Sequence, residues 1–201
     1  LQGQRKGVAQ EKLAGEAEKL SKEFCMLNQV PAVIDFFENR QMGITGGPGS
    51  LKVEEVILQL LMQIAACLCY TEVKTVCFYN KERKRDEEIA SCLRWMSHSW
   101  SGDKTVRYSA GCEKEAAEIL PVLTRELMRE SEIMEAGVSL PWYIVLVLNT
   151  ELIRGEPLYQ WLTDKEKKYP VSAVFVGEDG QALPKSCECL IEKQKQEGKS
   201  C

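Results

Sequence analysis

Seven consecutive apolar residues, Trp142-Tyr143-Ile144-Val145-Leu146-Val147-Leu148, set the strongest limit on how this chain can fold. Strand side chains alternate between two faces, so an unbroken apolar run predicts a strand covered on both sides. Helices must then lie in separate layers above and below the sheet, and the sequence supplies them. Val53, Val56, Ile57, Leu60, Leu61, Ile64 and Leu68 recur at helical spacing and mark one wide apolar face. Ala116, Leu120, Leu123 and Leu127 mark a helix over 112–135, and Pro121 within it predicts a kink or a late start. Further helices are expected at 9–27, 82–95 and 157–163. Strands are expected at 30–37, 41–45, 73–79, 106–110, 171–176 and 187–191, besides the apolar run itself. Strands alternating with helices of this length predict right-handed crossovers, hence an α/β fold in three layers around a mainly parallel central sheet.

A second constraint lies where the 41–45 strand meets the next helix. Met42-Gly43-Ile44-Thr45-Gly46-Gly47-Pro48-Gly49-Ser50-Leu51-Lys52-Val53-Glu54 has the layout of the phosphate loop G-x-x-x-x-G-K-[ST], with parts missing. Gly46 and Lys52 are kept, while Leu51 replaces the second glycine and Val53 the hydroxyl residue. A working loop wraps bare backbone N–H groups around phosphate and places a Ser or Thr oxygen on Mg²⁺. Val53 offers only hydrocarbon to a metal, and the Leu51 side chain crowds the approach of backbone to phosphate. The candidate nucleotide-binding residues are therefore vestigial: Gly46, Gly47, Gly49, Ser50 and Lys52. Lys52 stands where a helix start favours anions, but without its loop partners it is expected to be a solvated first-turn side chain. The predicted fold is P-loop-NTPase-like, with its chemistry lost.

At 201 residues the chain is long enough for a core of its own. An N-terminal helix over 1–28 is expected to lead into one ATPase-like domain at 29–192, followed by a polar tail at 193–201. A net charge of −4 argues against a general affinity for DNA or anionic membranes. No stretch reaches the roughly 20 apolar residues needed to span a bilayer. The chain opens on Leu1 rather than Met, so it is expected to be a piece of a longer protein. Of nine cysteines, Cys67, Cys69, Cys77 and Cys92 lie in or beside apolar runs and are expected as small core residues. With no C-x-x-C and His98 as the one histidine, a zinc site is not expected, and reduced thiols in a cytosolic setting are.

Three stretches together resemble a known family. The first runs from Glu16-Ala17-Glu18-Lys19-Leu20 through Val30-Pro31-Ala32-Val33-Ile34-Asp35 into Gly43-Ile44-Thr45-Gly46. The second is Leu93-Arg94-Trp95-Met96-Ser97-His98-Ser99-Trp100, similar to a Trp-Leu-Pro-His-x-Trp pattern with Met96 and Ser97 as departures. The third is Pro141-Trp142-Tyr143-Ile144-Val145-Leu146-Val147-Leu148-Asn149, with Val171-Ser172-Ala173-Val174-Phe175-Val176 after it. They resemble the degenerate ATPase-like domain at the start of the cytoplasmic motor region of type VII secretion ATPases, of the FtsK/SpoIIIE group. Active members of that group end the buried strand with Asp-Glu, for metal and for water. Here the strand ends in Asn149-Thr150, a vestigial Walker B pair, and Glu151 comes one residue late. Asn149 lacks the charge for Mg²⁺ and Thr150 cannot serve as a carboxylate base. Losses at both ends of the site predict no catalytic residue, no metal, no resident cofactor and at most weak, metal-free ATP binding.

The resemblance implies a structural and regulatory module of a membrane-anchored protein-secretion motor. Its implied partners are the downstream ATPase modules of the same chain, neighbouring subunits and components of the secretion channel. Nucleic acid is not an expected partner, because the basic run Lys81-Glu82-Arg83-Lys84-Arg85 is short and mixed with acid. Two alternatives stay open at this point: an ATP-hydrolysing domain completed by a neighbouring subunit, and an accessory domain of a DNA translocase. His98 between two serines is expected to be structural, with Trp95 and Trp100 packed, and the acid-rich segment 126–135 is expected on an exposed helix face.

Overall fold

The chain alternates strands and helices in the order β1 (Gln41–Thr45), α1 (Val53–Cys67), β2 (Val73–Phe78), α2 (Lys84–Leu93), β3 (Ser109–Ala110), α3 (Glu113–Glu135), β4 (Trp142–Val147), α4 (Pro157–Thr163), β5 (Val171–Gly177) and β6 (Cys189–Glu192). The computed structural model describes residues 15–16, 19, 33–46, 52–135, 141–164, 166, 168–177 and 183–192. It divides into two units, Leu1–Ile34 and Asp35–Cys201. In the first, Gly15, Glu16 and Lys19 are helical, and the remainder of the helix expected over 9–27 lies outside the described residues.

In the second unit all six strands are parallel, in the order β3-β2-β4-β5-β1-β6. From β1 the chain steps toward β2 and β3, then reverses through β4 and β5 to β6. Right-handed crossovers place the helices of the outward steps, α1 and α2, on one face and those of the return, α3 and α4, on the other. The three-layer α/β architecture expected from the sequence is therefore present. On the α3–α4 face, Val76, Phe78, Val145, Val147, Ala173 and Phe175 meet Ala116, Leu123, Leu127, Leu158 and Leu162 in one buried cluster. Ile57, Leu61 and Ile64 of α1 are buried, as the apolar stripe of that helix requires. Among the described residues, no helix is long and apolar enough to cross a membrane.

Several expectations need correction. The described part of the 30–37 strand, 33–37, is not a strand. Asp35 Oδ1 accepts the Phe37 N–H at 2.7 Å and its carbonyl accepts the Asn39 N–H at 2.8 Å, which winds 36–38 into a turn. A short polar side chain that bonds its own backbone outcompetes the strand ladder there. The 106–110 strand shrinks to Ser109–Ala110, because Arg107 instead bridges antiparallel to Trp100. Pro121 neither breaks nor delays α3, which runs unbroken from Glu113 to Glu135. Pro121 and Ala117, four residues before it, are both exposed, so the carbonyl that loses its donor lies on the solvent side of the helix. Only Cys77 of the four supposed core cysteines is buried; Cys67, Cys69 and Cys92 are exposed. They fall on the outer faces of α1 and α2 or in the turn beyond α1, where nothing covers them.

Gly111, just after β3, is held by its surroundings. A Cβ there would stand 2.6 Å from the Tyr79 ring and 2.6 Å from Lys81 Cγ, and Tyr79 is buried. Gly111→Ala should lower stability by about 1–3 kcal/mol through overpacking. A urea midpoint that fails to move would refute this.

Candidate nucleotide site at the carboxyl edge of the sheet

Because every strand is parallel, all six carboxyl ends open on one edge, where α/β sheets bind ligands at points of reversed strand order. Such a point lies between β1, whose chain leaves toward the α1 face, and β5. In register, Thr45 pairs with Gly177, and Val147 pairs with Phe175 two residues earlier on β5. Asn149 follows two residues after the end of β4, on the same edge of the sheet as Thr45 at the end of β1, with β5 between the two strands. The fold brings the end of β1 and the end of β4 to the same edge of the sheet, as a site for phosphate and metal would require.

Among the described residues at this edge, Lys52 and Asn149 have other partners. Gly46 follows β1 directly, while Gly47, Gly49 and Ser50 lie outside the described residues. Lys52 caps the start of α1 through its backbone and is exposed; its Nζ lies 2.8 Å from Glu55 Oε1. That hydrogen bond raises the Lys52 pKa above the ordinary lysine value. The ammonium is therefore a solvated first-turn group tied to its own helix, as the missing loop partners suggested.

Asn149 is occupied in a different way. The β4 strand stops at Val147, and the chain enters a single 3₁₀ turn, Thr150–Leu152. Asn149 Oδ1 accepts the Glu151 N–H at 3.2 Å and so caps that turn. Glu151, one residue late in sequence, lies in this turn and not on a strand. Its carboxylate forms an exposed ion pair with Arg154 at 3.0 Å. Thr150 is half-buried in the same turn. Among the described residues, no group of three or more His, Cys, Asp or Glu side chains converges in a way that suits a metal ion.

Two neighbouring features were not foreseen. The Thr45 hydroxyl, in a residue only 1 % exposed, has no hydrogen-bond partner among the described residues. Asp86 is fully buried, and its carboxylate accepts the Asn80 N–H at 3.3 Å and the Arg85 Nε–H at 3.1 Å, closing the loop after β2. A lone Asp inside the charged run 81–88 gives no sign in sequence of turning inward.

The second resemblance stretch holds one surprise. His98 is buried and its Nε2–H donates to the Leu68 carbonyl at 3.0 Å, while Ser99 Oγ is engaged with the carbonyls of Leu93 and Met96. Imidazole and hydroxyl therefore hold the segment together rather than facing each other. Trp100 is half-buried beneath the Arg107 guanidinium, 4.4 Å from the ring centre. Trp95, expected to be packed, is 92 % exposed. It lies just beyond the last turn of α2, where the chain has already left the sheet.

Compared with protein-family models, with curated proteins and with solved structures, the chain finds no match.

Proposed function

We propose that the chain is a non-catalytic structural and regulatory ATPase-like module of a membrane-anchored FtsK/SpoIIIE-type protein-secretion motor. The family assignment is supported by the three sequence stretches set out above, in their order and spacing. The non-catalytic role is supported by one observation. Where a metal-binding carboxylate would be needed, Asn149 offers an amide that caps a 3₁₀ turn, and Lys52, where phosphate would lie, pairs with Glu55 across its own first turn. Without a lysine on the outer phosphates and a carboxylate on the metal, an enzyme of this class loses the electrostatic stabilisation that dominates phosphoryl transfer. The sheet would serve as a rigid plate that passes movement between the motor modules and the channel. Trp95 gives such a module a large apolar group for contact with a neighbour, since isolated aromatic side chains of this exposure suit interface cores.

The test uses the full-length motor. Lys52→Ala should leave ATP turnover and secretion within about twofold of wild type, whereas Trp95→Ala should lower secretion without changing turnover. Loss of turnover in Lys52→Ala, with the other modules disabled, would instead mean that this domain hydrolyses ATP with groups borrowed from a neighbour.

A further inference from the structure

The opposite edge of the sheet, where the strands begin, carries a polar cavity that the proposed function does not use. Lys74 pairs in register with Tyr143, so both side chains face α3, on the same side as the buried Val76 and Val145. A lysine on that face is unusual, and its surroundings are specific. Glu126 of α3 accepts hydrogen bonds from both the Tyr108 and Tyr143 hydroxyls through the same oxygen, Oε2, the latter at 2.7 Å. Burial, and then Glu126, push both phenols well above the ordinary tyrosine value, so they remain donors at any physiological pH. The cavity above this cluster measures about 190 Å³ and is lined by Tyr70, Lys74, Trp100, Lys104, Glu126 and Arg129, among others.

The decisive observation is Lys74. The residue is only 6 % exposed, yet its ammonium makes no hydrogen bond or ion pair among the described residues. Its Nζ lies 5.7 Å from the centre of the Tyr70 ring, and Glu126 is the carboxylate that acts on it. Lys104 Nζ approaches the same ring at 6.0 Å. Burial of the stem pushes the Lys74 pKa down while Glu126 pulls it back up, so the ammonium is only partly compensated where it stands. Arg129 is matched by Glu130 at 2.6 Å. Lys74 and Lys104 thus share the cavity wall with one lining carboxylate, Glu126, one oxygen of which already serves two phenols, while Asp103 lies in the loop beside Lys104. The aromatic wall of the cavity is Tyr70 and Trp100.

We propose that this cavity binds a small organic anion, a carboxylate or phosphate monoester on a single flat ring, with the anionic group between Lys74 and Lys104. Pockets that take drug-sized ligands begin at roughly 300 Å³, so this one suits a fragment of that kind and excludes a nucleotide. The site is separate from the carboxyl edge and stands whether or not the domain belongs to a secretion motor.

Phenyl phosphate is the direct probe, titrated into the intact chain by two-dimensional amide NMR. Saturable shifts confined to the amides around Tyr70, Trp100 and Lys104 are expected, with Gly46 and Lys52 unmoved. Lys74→Met should weaken binding at least tenfold while leaving the spectrum folded, because a methionine replaces the buried stem without its charge. Lys104 has φ of 59°, a conformation that glycine adopts freely. Lys104→Gly therefore removes the second charge without backbone strain, and should weaken binding severalfold. Non-saturable shifts, shifts centred on the carboxyl edge, or equal affinity in wild type and Lys74→Met would overturn the proposal.

Discussion

Val145→Asp and Ile144→Asp should each leave the chain largely unfolded at 25 °C. The two residues are neighbours on β4, at 0 % and 2 % exposure, and their side chains point to opposite faces of the sheet. Strands β2 and β5 flank β4 on both sides, so neither side chain reaches water at an edge. An isolated carboxylate placed there costs several kcal/mol even after relaxation or protonation. Domains of this size hold only about 5–15 kcal/mol in total. The pair tests the three-layer architecture directly. In a two-layer sheet one face would be wet, and one of the two variants would keep its far-ultraviolet circular dichroism and cooperative melting. Both should lose them.

Glu126→Leu should destabilise the fold by about 3–5 kcal/mol, far more than a glutamate on a helix surface would. It removes the acceptor of two largely buried phenols, Tyr108 and Tyr143, and an unsatisfied buried donor costs about 1–3 kcal/mol each. The triple variant Glu126→Leu, Tyr108→Phe, Tyr143→Phe should recover much of the loss, because removing both partners of a hydrogen bond is nearly neutral. Urea denaturation of the three forms gives the comparison. A Glu126→Leu variant within 1 kcal/mol of wild type would mean the cluster is not structural. The same phenols predict the alkaline limit of the fold. Their folded pKa values lie above the unfolded value of about 10. The stabilisation they contribute is complete below that value and is lost as pH rises above it. The double Tyr→Phe variant should show a shallower loss of stability above pH about 10.

How much of this was legible in sequence depended on how local the cause was. The strand Gln41–Thr45 and the helix Pro157–Thr163 match the expected bounds to the residue. Alternation and apolar runs mark such elements, and Pro157 at the first turn fixes a start. The 30–37 segment misled because Asp35 makes its own turn, a choice that a hydrophobic pattern does not register. Glu126 and Glu130 were expected on the exposed face of α3, within the acid-rich segment. Glu126 is instead half-buried under two phenols and Glu130 is 4 % exposed. Their partners come from the residue before β3, from β4 and from the neighbouring arginine, and the spacing of one helix carries no trace of distant tyrosines. The exposure of Trp95 and of three cysteines fails for the same reason: an apolar residue beside an apolar run is covered only if the fold puts something over it.

At the candidate site, the residues were legible and their use was not. A phosphate loop is a contiguous motif, so the losses at Leu51 and Val53 stand out in sequence. That Asn149 caps a 3₁₀ turn follows only once β4 is seen to stop at Val147. The lysine cavity was invisible, since Lys74, Lys104 and Glu126 are far apart in the chain and meet through parallel pairing and the packing of α3.

The central proposal is that the carboxyl edge cannot hold Mg·ATP in a reactive pose. Isothermal titration of ATP into this chain, with and without Mg²⁺, measures it most directly. The expected result is binding no tighter than about 1 mM, equivalent to roughly −4 kcal/mol, with no gain on adding Mg²⁺ and no change in Lys52→Ala. Micromolar affinity that requires Mg²⁺ and disappears in Lys52→Ala would contradict it.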